Sequence, residues 1–211
     1  MTALHSVPES VEGHHPAARL LIVGPQGSGK GTQGVRIAES YGIPVVSTGD
    51  IFRANIKEGT PLGQQVTAIL DKGDLVPDEL TSEIVRDRLS QDDAANGFLL
   101  DGYPRNTAQV AHLEEFLGGR GESLDAVILL DVPREESIER LKLRAAEQGR
   151  SDDTDEAIAH RLDIYEKETS PILEVYGARG IVDRIDGVGS LDEITERVFA
   201  ALTARGLRLA A

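Results

Sequence analysis

A glycine-rich segment, Gly24-Pro25-Gln26-Gly27-Ser28-Gly29-Lys30-Gly31-Thr32, follows the apolar run Leu20-Leu21-Ile22-Val23 and opens a helical stretch over residues 31–40. A short, continuous apolar run that ends in glycine reads as a strand covered on both faces. The glycines let the backbone curl until successive N–H groups converge on one anion, and the helix start adds its positive end. Lys30, at a fixed offset, supplies a point charge for outer phosphates. A glycine-rich turn can be only a turn. A strand before it, a helix after it and the lysine between them favour a phosphate cradle built from Gly27, Ser28, Gly29, Lys30, Gly31 and Thr32.

Similar apolar runs recur. Val45-Val46 lead into Ser47-Thr48-Gly49-Asp50, Phe98-Leu99-Leu100 into Asp101-Gly102, and Val127-Ile128-Leu129-Leu130 into Asp131, while a weaker run covers residues 181–185. Helices are expected over residues 80–89, 106–117, 134–146, 155–176 and 191–204. Strands alternating with helices predict one α/β domain with a parallel β-sheet wrapped by helices. Ligands of such sheets bind beyond the carboxyl ends of the strands, where this chain places its Gly, Asp and Thr residues.

Composition narrows the chemistry. The 36 acidic and 22 basic residues leave a net charge of −14, and that field repels nucleic acid and anionic membranes. A phosphate ligand must then be held by locally concentrated Arg and Lys. The chain has no Cys, which excludes a thiol nucleophile and a Cys-ligated zinc site. No stretch reaches the roughly 18 apolar residues of a membrane span. Residues 1–18 lack the basic start and apolar core of a secretory signal, so they read as a disordered leader and the expected location is cytoplasmic. His5, His14 and His15 in that leader suit a solvated tail better than a metal site, because no fourth ligand is spaced with them. Where the general phosphate-loop motif has Ser or Thr directly after the lysine, this chain has Gly31, with Thr32 next. Magnesium is therefore expected to be held by the nucleotide and water more than by protein.

With Gly-Pro-Gln-Gly-Ser-Gly-Lys-Gly-Thr-Gln in place, and Asp101-Gly102-Tyr103-Pro104-Arg105 some seventy residues on, the sequence resembles the adenylate kinases from Arg19 to about Leu202. The resemblance implies a P-loop nucleoside monophosphate kinase fold, with an acceptor-binding insertion over about residues 47–76 and a short lid over about 143–153. The kinase domain would span residues 19–205, followed by a tail over 206–211. It implies reversible transfer of a phosphoryl group from ATP to AMP, giving two ADP, in a monomer with magnesium on the ATP and no zinc.

Residue by residue, the resemblance gives Arg53 the AMP phosphate and turns Thr48 to the adenine. Read alone, Thr48 suits a turn or helix cap and Arg53 a solvated helix charge. The insertion would close at Asp74-Leu75-Val76, whose backbone lines the AMP base. Gly102, Tyr103 and Pro104 lead to Arg105 on the AMP phosphate, with a cis Tyr103-Pro104 bond implied. Gln109, four residues on, offers a donor and an acceptor to adenine. Asp101 either orients magnesium-bound water or simply ends its strand.

The basic run in this acidic chain supplies the rest. By resemblance Arg144 contacts ATP, while Arg150 and Arg161 reach the AMP phosphate and the moving phosphoryl; Lys30 and Arg105 complete the catalytic set. Arg140 shares a helix face with Arg144. Asp153 and Glu156 fit a cap and its partner for the helix carrying Arg161, and Asp152 and Asp153 would position the lid. Gly189, in Gly187-Val188-Gly189, falls where the family packs backbone over the ATP base, and a plain loop fits nearly as well. His112 and His160 read as surface residues. Two alternatives stand beside this reading. UMP/CMP kinases usually carry Ala at the position of Thr48 and Asn at that of Gln109. A non-catalytic P-loop module would have no need of the second set of arginines.

Overall fold

The computed structural model describes residues 18–148 and 154–210. The apolar runs form strands β1 (Ala18–Val23), β2 (Val45–Ser47), β3 (Gly97–Asp101), β4 (Ala126–Asp131) and β5 (Val182–Asp186). They join as one parallel sheet in the order β2-β3-β1-β4-β5. Ala18, at the end of the expected leader, already pairs with Gly97 in this sheet.

Side chains alternate across the sheet and divide the core in two. On one face Leu21, Val23, Leu100, Val127 and Leu129 pack under α4 (Asp78–Leu89), α5 (Thr107–Gly119) and α8 (Ile172–Gly177). On the other, Leu20, Ile22, Leu99, Ile128 and Leu130 pack under α1 (Lys30–Tyr41) and α9 (Leu191–Ala204). Both faces are covered, which is why these strands read as unbroken apolar runs. Each such Leu or Ile, when fully buried, contributes about 1.5–3 kcal/mol.

Between β2 and α4 the chain forms α2 (Thr48–Glu58) and α3 (Pro61–Asp71) around a small core of its own, Phe52, Val66 and Val76. Ser47 caps α2 by accepting from Asp50 N–H, and Thr60 caps α3 by accepting from Gly63 N–H. Beyond β4, α6 (Arg134–Gln148) packs through Leu141 on Ile158 and Leu162 of α7 (Asp155–Ile164). Residues 206–210 fold back on α1, where Ala210 N–H donates to Ser40 O at 2.8 Å.

Two expectations are corrected. The single helix over 155–176 is interrupted: α7 ends at Ile164, a π-helical turn covers Tyr165–Thr169, and α8 follows. Pro171 has no N–H to donate and its ring crowds the preceding turn, so the register slips there and Ser170 N–H reaches back to Tyr165 O at 2.7 Å. The cap of α7 is Thr154, whose hydroxyl accepts from Ala157 N–H at 3.2 Å, and not Asp153 paired with Glu156. Asp152, Asp153 and Arg150 lie outside the described residues, as do residues 1–17 of the expected leader with their three histidines.

Candidate active site

Three neighbouring strands end together. Asp101 of β3 is in register with Ser47 of β2 on one side and Ile22 of β1 on the other. Beyond these ends lies a cleft of about 500 Å³, with the phosphate loop on one side and α2, the end of α3 and the start of α5 on the other.

The loop is shaped by its glycines. Gly27 and Gly29 have φ of 82° and 93°, a region side chains rarely adopt. A Cβ on Gly27 would also meet Ser137 O at 2.6 Å. Gly29 stands at the N-terminus of α1, and no side chain caps that helix, whereas Ser47, Thr60, Asn106, Thr154 and Ser190 cap theirs. The first-turn N–H groups of α1 are thus available to an anion in the cleft.

Lys30 folds over the loop and donates to Gly24 O at 2.8 Å and Pro25 O at 2.9 Å. Burial pulls its pKa down to about 8; Asp101 opposes that shift, and Arg105 and Arg144 add to it. Burial likewise lowers the Arg105 pKa, against Asp101 and with Arg161 and Arg53. The carboxyl of Asp101 is pushed up by burial against the pull of Lys30 and Arg105. Cations gathered where water is scarce are costly until an anion arrives.

On the acceptor side, Gly102 O accepts from Thr48 Oγ1 at 3.0 Å and from Arg105 Nε at 2.8 Å. Gly102, with φ of 81°, has no room for a side chain, because a Cβ would stand 2.9 Å from Thr48 Oγ1 and 3.0 Å from Arg105 Nη2. Arg53 is half-exposed and pairs with Asp50 at 2.6 Å. Gln109 is buried, and its Oε1 accepts from Arg105 N–H at 2.8 Å. Asp74 and Leu70 receive α7: His160 Nε2 meets Asp74 Oδ1 at 2.6 Å, and Arg161 Nη2 donates to Leu70 O at 3.2 Å. His160 is therefore exposed, as expected, yet it ties α7 to the end of α3.

The cleft wall brings together Gly27, Gly29, Lys30, Gly31, Thr32, Thr48, Arg53, Asp74, Leu75, Val76, Asp101, Gly102, Arg105, Gln109, Arg144 and Arg161. Ser28, Tyr103, Pro104 and Gly189 do not line it. Ser28 is buried under the loop. Tyr103, joined to Pro104 by a cis bond, is a core residue whose hydroxyl bonds Ser82 Oγ and Gln109 O. His112 is half-buried beside the same Ser82.

Sequence reasoning passed over Arg140, which also lines the cleft. It is held by Glu136 at 2.7 Å, donates to Gly187 O at 3.1 Å and reaches Ser28 O at 3.5 Å, so it joins the phosphate loop to the loop after β5. Its spacing of four residues from Arg144 was the available signal.

Among the described residues no three His, Cys, Asp or Glu side chains gather as a metal site. Asp101 sits at the strand end with Asp50 and Asp74 also lining the cleft, and so sparse a set of carboxylates suits a hydrated magnesium held from outside its water shell. Nor is any described helix long and apolar enough to cross a membrane.

Comparison with known proteins agrees with this geometry. The sequence profile of the family described as Adenylate kinase matches residues 22–181. The adenylate kinase of Clavibacter michiganensis subsp. michiganensis is 60% identical over 190 residues, covering 90% of this chain and 95% of that protein. Those of Leifsonia xyli subsp. xyli and Bifidobacterium longum are 59% and 56% identical, over 89% and 87% of this chain and 94% and 99% of their own lengths. On its phosphate loop, its sheet order and these matches, the chain belongs to the adenylate kinase family.

Proposed function

We propose that the cleft binds ATP over the phosphate loop and AMP against α2, α3 and α5, and that it transfers the γ-phosphoryl in line to the AMP phosphate, giving two ADP. The observation that carries this reading is the pairing, in one cleft, of the phosphate cradle with a second set of cations, Arg53, Arg105 and Arg161. A module that only bound a nucleotide would need one phosphate site, not two.

The acceptor phosphate is ionised at neutral pH, so no general base is needed. Catalysis rests on positioning and on electrostatic stabilisation of the moving charge. The loop N–H groups and Lys30 hold the donor phosphates. Arg105, Arg144 and Arg161 surround the group in transit, and Arg53 holds the acceptor; Arg150, outside the described residues, is assigned to the same task by the family resemblance alone. Bound phosphates replace the loop carbonyls as partners of Lys30. Magnesium, carried on ATP and steadied through water by Asp101, would supply charge neutralisation at the donor phosphates. Gln109, which lines the cleft as Thr48 does, presents polar groups to the adenine of AMP, and the backbone of residues 74–76 flanks it. Closure of the insertion over 47–76 would exclude water and suppress ATP hydrolysis. We place the enzyme in the cytoplasm, as a monomer.

The test offers purified protein AMP, CMP, UMP and GMP in parallel with Mg-ATP and follows ADP formation. Strong preference for AMP is expected. Preference for CMP or UMP would overturn the base assignment, and absence of acceptor-dependent turnover would overturn the kinase reading.

A further inference from the structure

The side-chain amide of Gln109 is held at both ends. Its Oε1 accepts from the Arg105 N–H at 2.8 Å, and its Nε2 donates to Asp78 Oδ1 at 2.8 Å. Turning the amide over would set N–H against N–H at Arg105 and oxygen against carboxylate at Asp78. Both contacts would become repulsive, and the Gln109 amide itself is buried, where unpaired polar groups are costly. Asp78 Oδ1 also accepts from Asn106 Nδ2 at 2.9 Å. Asn106 is thereby fixed with its own oxygen toward Gln109 N–H, capping α5 at 2.9 Å. One carboxylate oxygen, at the first residue of α4, thus orients two amides on the neighbouring element.

Asp78 does not line the cleft, whereas Gln109 does. An amide has two N–H donors and two acceptor lone pairs. With one of each committed to protein, Gln109 has one N–H and one lone pair for a ligand, in a fixed order along its edge. A 6-aminopurine presents an acceptor at N1 beside a donor at N6. A 6-oxopurine presents a donor at N1 beside an acceptor at O6, the same pair reversed. Only a turned amide could serve the second.

We propose that Asp78 is a positioning residue that sets base discrimination at the acceptor site, by locking the Gln109 amide in the one orientation that suits a 6-aminopurine. The proposal rests on the reading of Gln109 as the residue facing the acceptor base. It makes discrimination a property of the pair and not of Gln109 alone.

The test measures kcat and KM for AMP and for inosine monophosphate, the 6-oxo counterpart, with Mg-ATP as donor. Inosine monophosphate is also measured as a competitive inhibitor against AMP. The wild-type protein prefers AMP. Asp78→Ala removes one of the two locks, and the AMP-to-IMP ratio of kcat/KM falls about tenfold, the scale of one hydrogen bond to a charged group. The loss is carried by KM for AMP, because Asp78 touches no phosphate site. Asp78→Asn keeps an oxygen that accepts from both amides and holds the ratio within about twofold of wild type. Asp78→Glu keeps the helix-start charge but displaces the carboxylate; it lowers the ratio in the same direction and serves if the alanine variant does not fold. A merely structural role would lower turnover of both nucleotides together and leave the ratio unmoved in Asp78→Ala and Asp78→Glu; that result overturns the proposal. A wild-type protein that does not prefer AMP overturns the acceptor reading beneath it, a separate and recognisable failure.

Discussion

Binding of ATP to this protein is predicted to take up a proton, and Lys30 is the group that accepts it. In the ligand-free protein burial holds its pKa at about 8. The ammonium is then about nine-tenths charged at pH 7, half charged at pH 8 and about one-tenth charged at pH 9. A polyphosphate beside it favours the charged form and returns its pKa to the ordinary lysine range or above. Uptake should rise from about 0.1 proton at pH 7 to about 0.5 at pH 8 and about 0.9 at pH 9. ATP is fully ionised across the upper part of this window. Calorimetric titration with ATP in buffers of differing ionisation enthalpy reads the number directly. Lys30→Arg keeps a cation that does not titrate, so its uptake should stay near zero throughout. An uptake that does not climb between pH 7 and pH 9, or one equal in Lys30→Arg, would refute the buried, depressed ammonium. The same shift has a stability consequence. The unfolded chain holds this proton up to about pH 10.5 and the folded one only to about 8. Lys30 therefore costs the ligand-free fold most at neutral pH, and that cost is relieved as pH rises from about 8 to about 10.5.

Other outcomes follow from single contacts. Lys30→Met should melt within a few degrees of wild type while turnover falls by about 10²–10³-fold or more; near-normal rates would remove Lys30 from the mechanism. Gly102→Ala forces a side chain onto a φ of 81° and against Thr48 and Arg105, so about 1–2 kcal/mol of stability should be lost, with KM rising more for AMP than for ATP. Arg140→Ala releases both Ser28 O and Gly187 O, and steady-state kinetics should show the larger KM increase for ATP. Thr154→Ala deletes the cap of α7; denaturant unfolding should register a loss of about 1 kcal/mol, and an unchanged midpoint would contradict the cap.

What was legible in the sequence was mostly local. Leu20 to Val23 followed by Gly24, and Phe98 to Leu100 followed by Asp101, declare buried parallel strands because both their faces are covered. Each strand end lies within two residues of the expected one. Thr48, Asp101, Gly102 and Arg105 were legible because they come at or just after those strand ends, whereas Arg144 in α6 and Arg161 in α7 were reached only through the family resemblance. What was not legible depends on register and on distance along the chain. Asp153 and Thr154 are both good caps, and only the actual turn of the backbone selects Thr154. The effect of Pro171 appears as a slip of hydrogen-bond register between two helical pieces, which periodicity alone does not reveal. Asp78 lies 31 residues from Gln109, and an acidic residue in the first turn of a helix looks like ordinary dipole complementation. Arg140 was visible as a charge but not as a bridge, since its partners at residues 28 and 187 come from opposite ends of the chain.

The sheet order has one further consequence. Because β3 lies between β1 and β2, the phosphate loop and the start of the acceptor side stand two strand spacings apart, about 10 Å, with Asp101 midway. That gap is ruled by backbone hydrogen bonds and not by any side chain at the site. Substitutions along the cleft can change its charge, its solvation and its choice of base, but they act inside a gauge whose width the main chain has already set.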